Sequence, residues 1–220
     1  MILSNFIFVC SLVCSVASAT PIAAAVNPPK GTCTISAVDV DVDTDGNGCR
    51  PGSVAVAISE DNSLINLLFD NFQAAIGPNA GAVSKRALCK VNITMSSPGW
   101  TFDVNTVDFR GYIKLAGGVD ISLVSRWKWI DSKGVDMKGK GNMQKQLSGP
   151  FENDVLLHKD GEVSDTVSSA CSKTAARFQL TISASLSATV SSGSGVLKGT
   201  QDGALDRGFS EILNLGWRKC

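Results

Sequence analysis

The chain has 220 residues, its 20 Lys and Arg are matched by 20 Asp and Glu, and 44% of it is hydrophobic. That neutral balance excludes an overall basic field of the kind that draws nucleic acid or anionic lipid to a protein. After Val16 no stretch approaches the roughly 20 apolar residues a membrane helix needs, so no membrane span is expected.

The chain opens with an apolar run from Phe6 to Val16, followed by Ala17-Ser18-Ala19. An apolar run of this length before a small-residue site predicts a secretory signal peptide over residues 1–19, although no Lys or Arg precedes it. The expected product is secreted and extracellular. Cys10 and Cys14 would leave with the signal; Cys33, Cys49, Cys89, Cys171 and Cys220 remain. In an oxidising compartment these are expected to form bridges, and no C-x-x-C pair suggests a metal or redox centre. Residues 20–32, rich in Ala and Pro, read as an unstructured lead-in. Residues 33–220 read as one domain, long enough to bury a core.

Val38, Val40 and Val42 alternate with Asp39, Asp41 and Asp43, which predicts a strand with an acidic outer face. Asp45-Gly46-Asn47-Gly48 is a turn, and Val54, Val56 and Ile58 form the next strand. Leu64 to Phe72 fits a helical face or a buried strand; its β-rich surroundings favour the strand. Residues 73–86 read as loop. Val91, Ile93 and Met95 alternate, and Ser97-Pro98-Gly99-Trp100 then fits a type II turn. A two-residue loop there would pair Met95 with Phe102 and Ile93 with Val104. The apolar parity next flips, from Phe102 and Val104 to Val107, Phe109, Ile113 and Leu115, which requires a bulge or bend at Asn105 or Thr106. A hairpin through Gly117-Gly118 with an odd loop would pair Leu115 with Ile121, Ile113 with Leu123, Phe109 with Trp127 and Val107 with Trp129. It would set Gly111 across from Ser125.

Residues 131–150 are polar and Lys-rich and suit an edge strand. Asp154 to Lys159 is one more short strand, and residues 161–176 are loop. The longest alternation runs from Phe178 to Val190, apolar at Leu180, Ile182, Ala184, Leu186 and Ala188, with Gln, Thr and Ser between. Such alternation buries one strand face and wets the other. Thirteen residues reach roughly 43 Å, and this is expected to be the central strand of an antiparallel sheet. A Ser/Gly turn leads to Val196-Leu197. Phe209, Leu213, Leu215 and Trp217 form the last strand, with Glu211 intruding on its apolar face. The predicted fold is all-β: an antiparallel, disulfide-bonded β-sandwich of about ten strands.

Few residues carry recognisable chemistry. Asp41, Asp43 and Asp45 superficially resemble a calcium loop, but counting from Asp41 the twelfth position is Gly52, so an EF-hand is excluded and only a looser site is left. His158 is the single histidine; any Ser-His-Asp arrangement would need it, and no nucleophile-elbow or H-E-x-x-H motif accompanies it. Phe109, Trp127 and Trp129 share a face, as a sugar-stacking platform would, yet aromatics sharing a face with Ile121 and Leu123 belong more often to a core. Trp100 and Tyr112 are separate binding candidates. Tyr112 is the better exposed, on the polar face with Arg110 and Lys114. The Ser/Thr face of the long strand would suit a polymer surface, although a plain wet sheet face is the simpler reading. Asn92-Ile93-Thr94 is a glycosylation sequon on a polar face, where a glycan is expected to be sterically acceptable.

Several landmarks recur in a family order: Gly48-Cys49-Arg50-Pro51-Gly52-Ser53, Phe69-Asp70-Asn71-Phe72, Lys85-Arg86-Ala87-Leu88-Cys89, Pro98-Gly99-Trp100, Asp108-Phe109-Arg110-Gly111-Tyr112, Gly149-Pro150, Ser169-Ala170-Cys171 and Trp217-Arg218-Lys219-Cys220. In this the chain resembles the secreted family known as domain of unknown function 4360 over nearly its whole mature length. It departs in the proline after Cys49, displaced by one residue, in Ala170 where the family often has Pro, and in an extra Cys33. The resemblance implies secretion and a shared fold, and no activity or catalytic residue. It also implies that Cys49, Cys89, Cys171 and Cys220 are the bridging set. Four cysteines allow three pairings; Cys49–Cys89 with Cys171–Cys220 is the expectation.

With no catalytic motif and no cofactor implied, the sequence reads as a non-enzymatic domain. Its expected role is binding at a cell wall, matrix or host surface, with an extracellular polysaccharide or surface protein as partner. The alternatives are a hydrolase of an extracellular polymer, using carboxylates whose spacing only three dimensions reveal, and a calcium-dependent adhesin.

Overall fold

The period-2 patterning becomes strands throughout. The computed structural model describes residues 27–41, 48–160, 162–163, 177–199 and 208–220, and within these no helix forms. The strands are β1 (Thr34–Asp41), β2 (Val54–Ile58), β3 (Leu64–Phe69), β4 (Ala74–Ile76), β5 (Arg86–Ser96), β6 (Trp100–Leu115), β7 (Val119–Ile130), β8 (Asp136–Ser148), β9 (Phe151–Asp160), β10 (Glu162–Val163), β11 (Arg177–Ala188), β12 (Gly195–Lys198) and β13 (Phe209–Lys219). They form two sheets with every pairing antiparallel. The first runs β1-β5-β11-β7-β8-β10. The second runs β2-β3-β13-β6-β12-β4, with β9 also on β6.

The long alternating strand is central, as expected. β11 pairs with β5 on one side and β7 on the other. Phe178, Leu180, Ile182, Ala184 and Leu186 are all buried. It stops at Ala188, two residues short of the expected end. Thr189 turns away to donate its amide to Gly118, and Val190 is 48% exposed. An aromatic cluster joins the sheets: Phe102 and Trp217 from the second meet Trp129 and Phe178 from the first, with centroids 5.0–5.4 Å apart. Tilted and edge-on rings at such distances favour the ring quadrupoles as well as apolar burial.

The parity flip in β6 is a bulge at Asn105. β13 pairs Asn214 with Thr106 but Leu215 with Val104, skipping Asn105, which is exposed while Val104 and Val107 are both buried. The strand expected over Leu64 to Phe72 forms but ends at Phe69. Residues 73–86 are not all loop, because Ala74–Ile76 pair with β12. Nor are 161–176, because Glu162–Val163 pair with β8; residues 161 and 164–176 lie outside the described residues.

Both expected hairpins around β6 are corrected. The Ser97–Trp100 turn is present, with Trp100 N–H donating to Ser97 O and Gly99 at φ +76°, a value glycine adopts freely. Yet β5 lies in the first sheet and β6 in the second, so Met95–Phe102 and Ile93–Val104 are not ladder pairs. The same holds at Gly117-Gly118: Ile121, Leu123, Trp127 and Trp129 pair with Leu186, Ala184, Leu180 and Phe178 of β11, not with β6. Gly111 pairs with Val155 instead of Ser125. A sandwich brings apolar faces together across the gap between sheets as well as along a ladder. Matching parity therefore identifies the shared core without identifying the neighbour.

The expected Cys49–Cys89 bridge is formed, with Cα atoms 5.3 Å apart, and ties the segment before β2 to β5. Cys220 is disulfide-bonded too, while Cys171 lies outside the described residues. Cys33 is free and buried, and burial pushes its thiol up to about 11. The last residues of the Pro-rich lead-in are tied down: buried Asn62 donates its amide to the carbonyls of both Pro28 and Pro29 at 3.1 Å, and accepts the Trp217 indole N–H at its own carbonyl.

Candidate functional site

β6 lies at the middle of the second sheet, and its outward side chains, Asp108, Arg110, Tyr112 and Lys114, follow from its period-2 pattern. β9 faces it in strict register, setting His158 beside Asp108, Leu156 beside Arg110, Asp154 beside Tyr112 and Glu152 beside Lys114. The Tyr112 hydroxyl donates to Glu152 Oε1 at 2.7 Å, and Lys114 Nζ reaches both oxygens of the same carboxylate at 2.9 Å. The hydrogen bond to Glu152 raises the pKa of Tyr112 and, likewise, that of Lys114. Hydrogen bonds from Lys114 and then Tyr112 lower that of Glu152. The trio is thus a neutral phenol, an ammonium and a carboxylate in one fixed arrangement. On the far side Lys198 Nζ stands 5.4 Å from the Tyr112 ring centroid, a cation–π distance.

Next to this trio the surface opens into a groove of about 540 Å³, where the end of β6 meets β4, β12 and the start of β9. Leu115, Phe151, Val196 and Ile76 supply apolar walls; Lys114 and Glu152 supply the charged rim. A concave, mostly apolar site with a few convergent polar groups has the character of a ligand-binding site.

The remaining candidates are dispersed. Trp127 and Trp129, on the inner face of the first sheet, are 4% and 2% exposed, so their rings fill the core and form no platform. Trp100 is 9% exposed, with Lys219 Nζ 5.5 Å from its ring centroid. Tyr112 does not itself line the groove but stands next to it, bonded to the rim residue Glu152. Asp41 accepts from Asn92 Nδ2 at 2.8 Å and pairs with Lys90 at 3.4 Å; Asp43 and Asp45 lie outside the described residues. No three acidic, His or Cys groups among the described residues are placed to hold a metal.

Asn92 differs from expectation. It is 5% exposed, with its amide spent on Asp41 and its carbonyl accepting Gln179 Nε2 at 2.7 Å. A glycan on Nδ2 would have to break that chain, so this polar face does not accommodate one freely. The reason is lateral: β1 and β11 flank β5, and their side chains close over it.

Two further arrangements involve residues that the sequence singled out, but with neighbours it did not indicate. His158 Nδ1 contacts Asp108 Oδ1 at 2.5 Å, while Asp108 Oδ2 accepts Asn214 Nδ2 at 3.2 Å. This exposed pair lies six residues along β9 from Glu152, roughly 20 Å at strand rise. Glu211, the polar intruder in β13, is wholly buried, and neither of its oxygens nor the buried Ser125 hydroxyl has a hydrogen-bond partner. Burial raises Glu211 to about 8, tempered by Ser125. A carboxyl sealed this way does not reach solvent or substrate.

A curated relative, an uncharacterized secreted protein of Arthroderma benhamiae, is 31% identical over 176 residues, spanning 80% of this chain and 68% of the relative. Among solved structures, the active domain of tailspike protein 4 of bacteriophage CBA120 aligns at 11% identity and TM-score 0.26, covering 86% of this chain but 20% of that one. TmCBM61 in complex with β-1,4-galactotriose aligns at 12% identity and TM-score 0.23, covering 84% of this chain and 90% of that one. Likenesses this slight carry no inference about either chemistry or ligand. The family model for the domain of unknown function DUF4360 matches residues 36–220, from early in β1 to the last residue and beyond the extra Cys33, and the chain belongs to that family.

Proposed function

We propose that this protein is an extracellular, non-catalytic binding domain that takes a neutral sugar chain of a cell wall or matrix into the groove beside Tyr112. Residues 1–19 would serve as its export signal, in keeping with the secreted relative. The observation that carries the reading is the pairing of apolar walls with a prearranged polar rim. Leu115, Phe151 and Val196 suit the apolar faces of sugar rings. The Tyr112–Glu152–Lys114 trio offers donors and acceptors whose geometry is already set, so little side-chain entropy is lost on binding. The raised-pKa carboxyl that acid catalysis would favour, Glu211, is sealed in the core, and the one histidine lies well along the strand from the groove.

The test is a pull-down of purified protein on insoluble chitin and β-glucan, repeated with Tyr112→Ala and Glu152→Ala. Retention of the wild type on one polymer, with loss in both variants, is the expected outcome. A wild type that stays in the supernatant throughout, or variants retained as well as wild type, would overturn the proposal.

A further inference from the structure

On the opposite side of the sandwich, the outer face of the first sheet holds a cleft of about 600 Å³. Register builds it. Lys90 of β5 lies level with Thr181 of β11, which lies level with Arg126 of β7. One row along, Gln179 lies level with Lys128, and Lys128 with Lys140 of β8. Four cations from three strands therefore line one concavity, and among the described residues no carboxylate lines it. Among the described residues acids stand beside it: Asp41 pairs with Lys90 at 3.4 Å and Asp136 with Lys128 at 2.6 Å. Arg126, exposed and near the middle, makes no ion pair or hydrogen bond among the described residues. The chain's zero net charge hides this concentration.

We propose that this cleft binds a linear, carboxylate-bearing polysaccharide. A guanidinium held without a partner suits bidentate recognition of a carboxylate. The flanking lysines add attraction that is partly relieved of its local acids when a polymer competes for them. The uncharged lining, Thr181 and Asn142 with Gln179 beneath, is hydroxyl and amide, which matches sugar hydroxyls. A single-stranded nucleic acid would call instead for exposed aromatic rings on which bases stack. The aromatic at this cleft, Trp127, is 4% exposed and turned into the core. The site is separate from the groove beside Tyr112, and either proposal stands or falls without the other.

The test is isothermal titration of the full secreted protein with polygalacturonate, with the same polymer fully methyl-esterified, and with oligo-dT. Polygalacturonate is expected to bind, to weaken at least tenfold between 50 and 500 mM NaCl as exposed charges are screened, and to bind about tenfold more weakly to Arg126→Gln. Arg126→Lys, which keeps the charge, is expected to recover part of that loss. Matching thermal midpoints will show that the variants fold. Absence of binding, equal binding of the esterified polymer, tighter binding of oligo-dT, or an Arg126→Gln protein with unchanged affinity would each overturn the proposal.

Discussion

Replacing Glu211 with Gln should stabilise the protein in a way that depends on pH. The side chain points from β13 into the space between the sheets, level with Phe109 of β6 and Leu67 of β3, with Ser125 of β7 as its polar neighbour from the opposite sheet. None of these titrates. Burial holds the folded value near 8 against an ordinary 4.5. The folded state therefore keeps a proton that the unfolded chain releases. The associated stability is present in full below pH 4.5 and is lost as the pH rises towards 8. Each unit corresponds to about 1.4 kcal/mol, so at pH 7 the wild type forgoes about 3 kcal/mol relative to a neutral isostere. For a domain of this size that is a shift of roughly 6–12 °C in Tm. Thermal and urea unfolding of both proteins at pH 4, 7 and 8.5 would measure it. The curves should nearly coincide at pH 4, and Glu211→Gln should be the more stable at pH 7 and more so at 8.5. A stability difference that does not change with pH would refute the reasoning, because it would mean that Glu211 titrates alike in both states. Glu211→Leu, which removes the unpartnered polar atoms altogether, should exceed Gln at every pH.

Removing the Cys49–Cys89 bridge with paired serines frees a loop of 40 residues; chain entropy predicts a loss of about 4 kcal/mol, read as a lower urea midpoint. Phe102→Ala empties the centre of the aromatic cluster between the sheets and should cost about 3–5 kcal/mol in the same assay. Cys33, buried and with its thiol near 11, should resist alkylation at pH 8 in the folded protein and react once urea unfolds it, as peptide mass spectrometry would show. The peptide carrying Asn92 should be unmodified in protein secreted by a glycosylating host; a fully occupied sequon would contradict the burial of its amide.

What the sequence determined by itself was which side chains face inward. Period-2 alternation assigned Leu180, Ile182, Phe109 and Trp129 to a dry interior, and the parity flip placed a bulge at Asn105 or Thr106, because both follow from the pleat of a single strand; the structure selects Asn105. The Cys49–Cys89 bridge was legible only through the family order of landmarks. Tertiary structure decided which strands are neighbours. Along Ile121, Leu123, Trp127 and Trp129 the apolar pattern suits a partner in the same sheet and a layer across the gap equally well, since burial is non-directional, and β11 took the place that β6 was expected to fill. It also decided the surface. Glu152 is far in the chain from Tyr112 and Lys114, as Lys90 is from Arg126 and Lys128, and they meet only through register; a neutral composition cannot reveal where charge gathers.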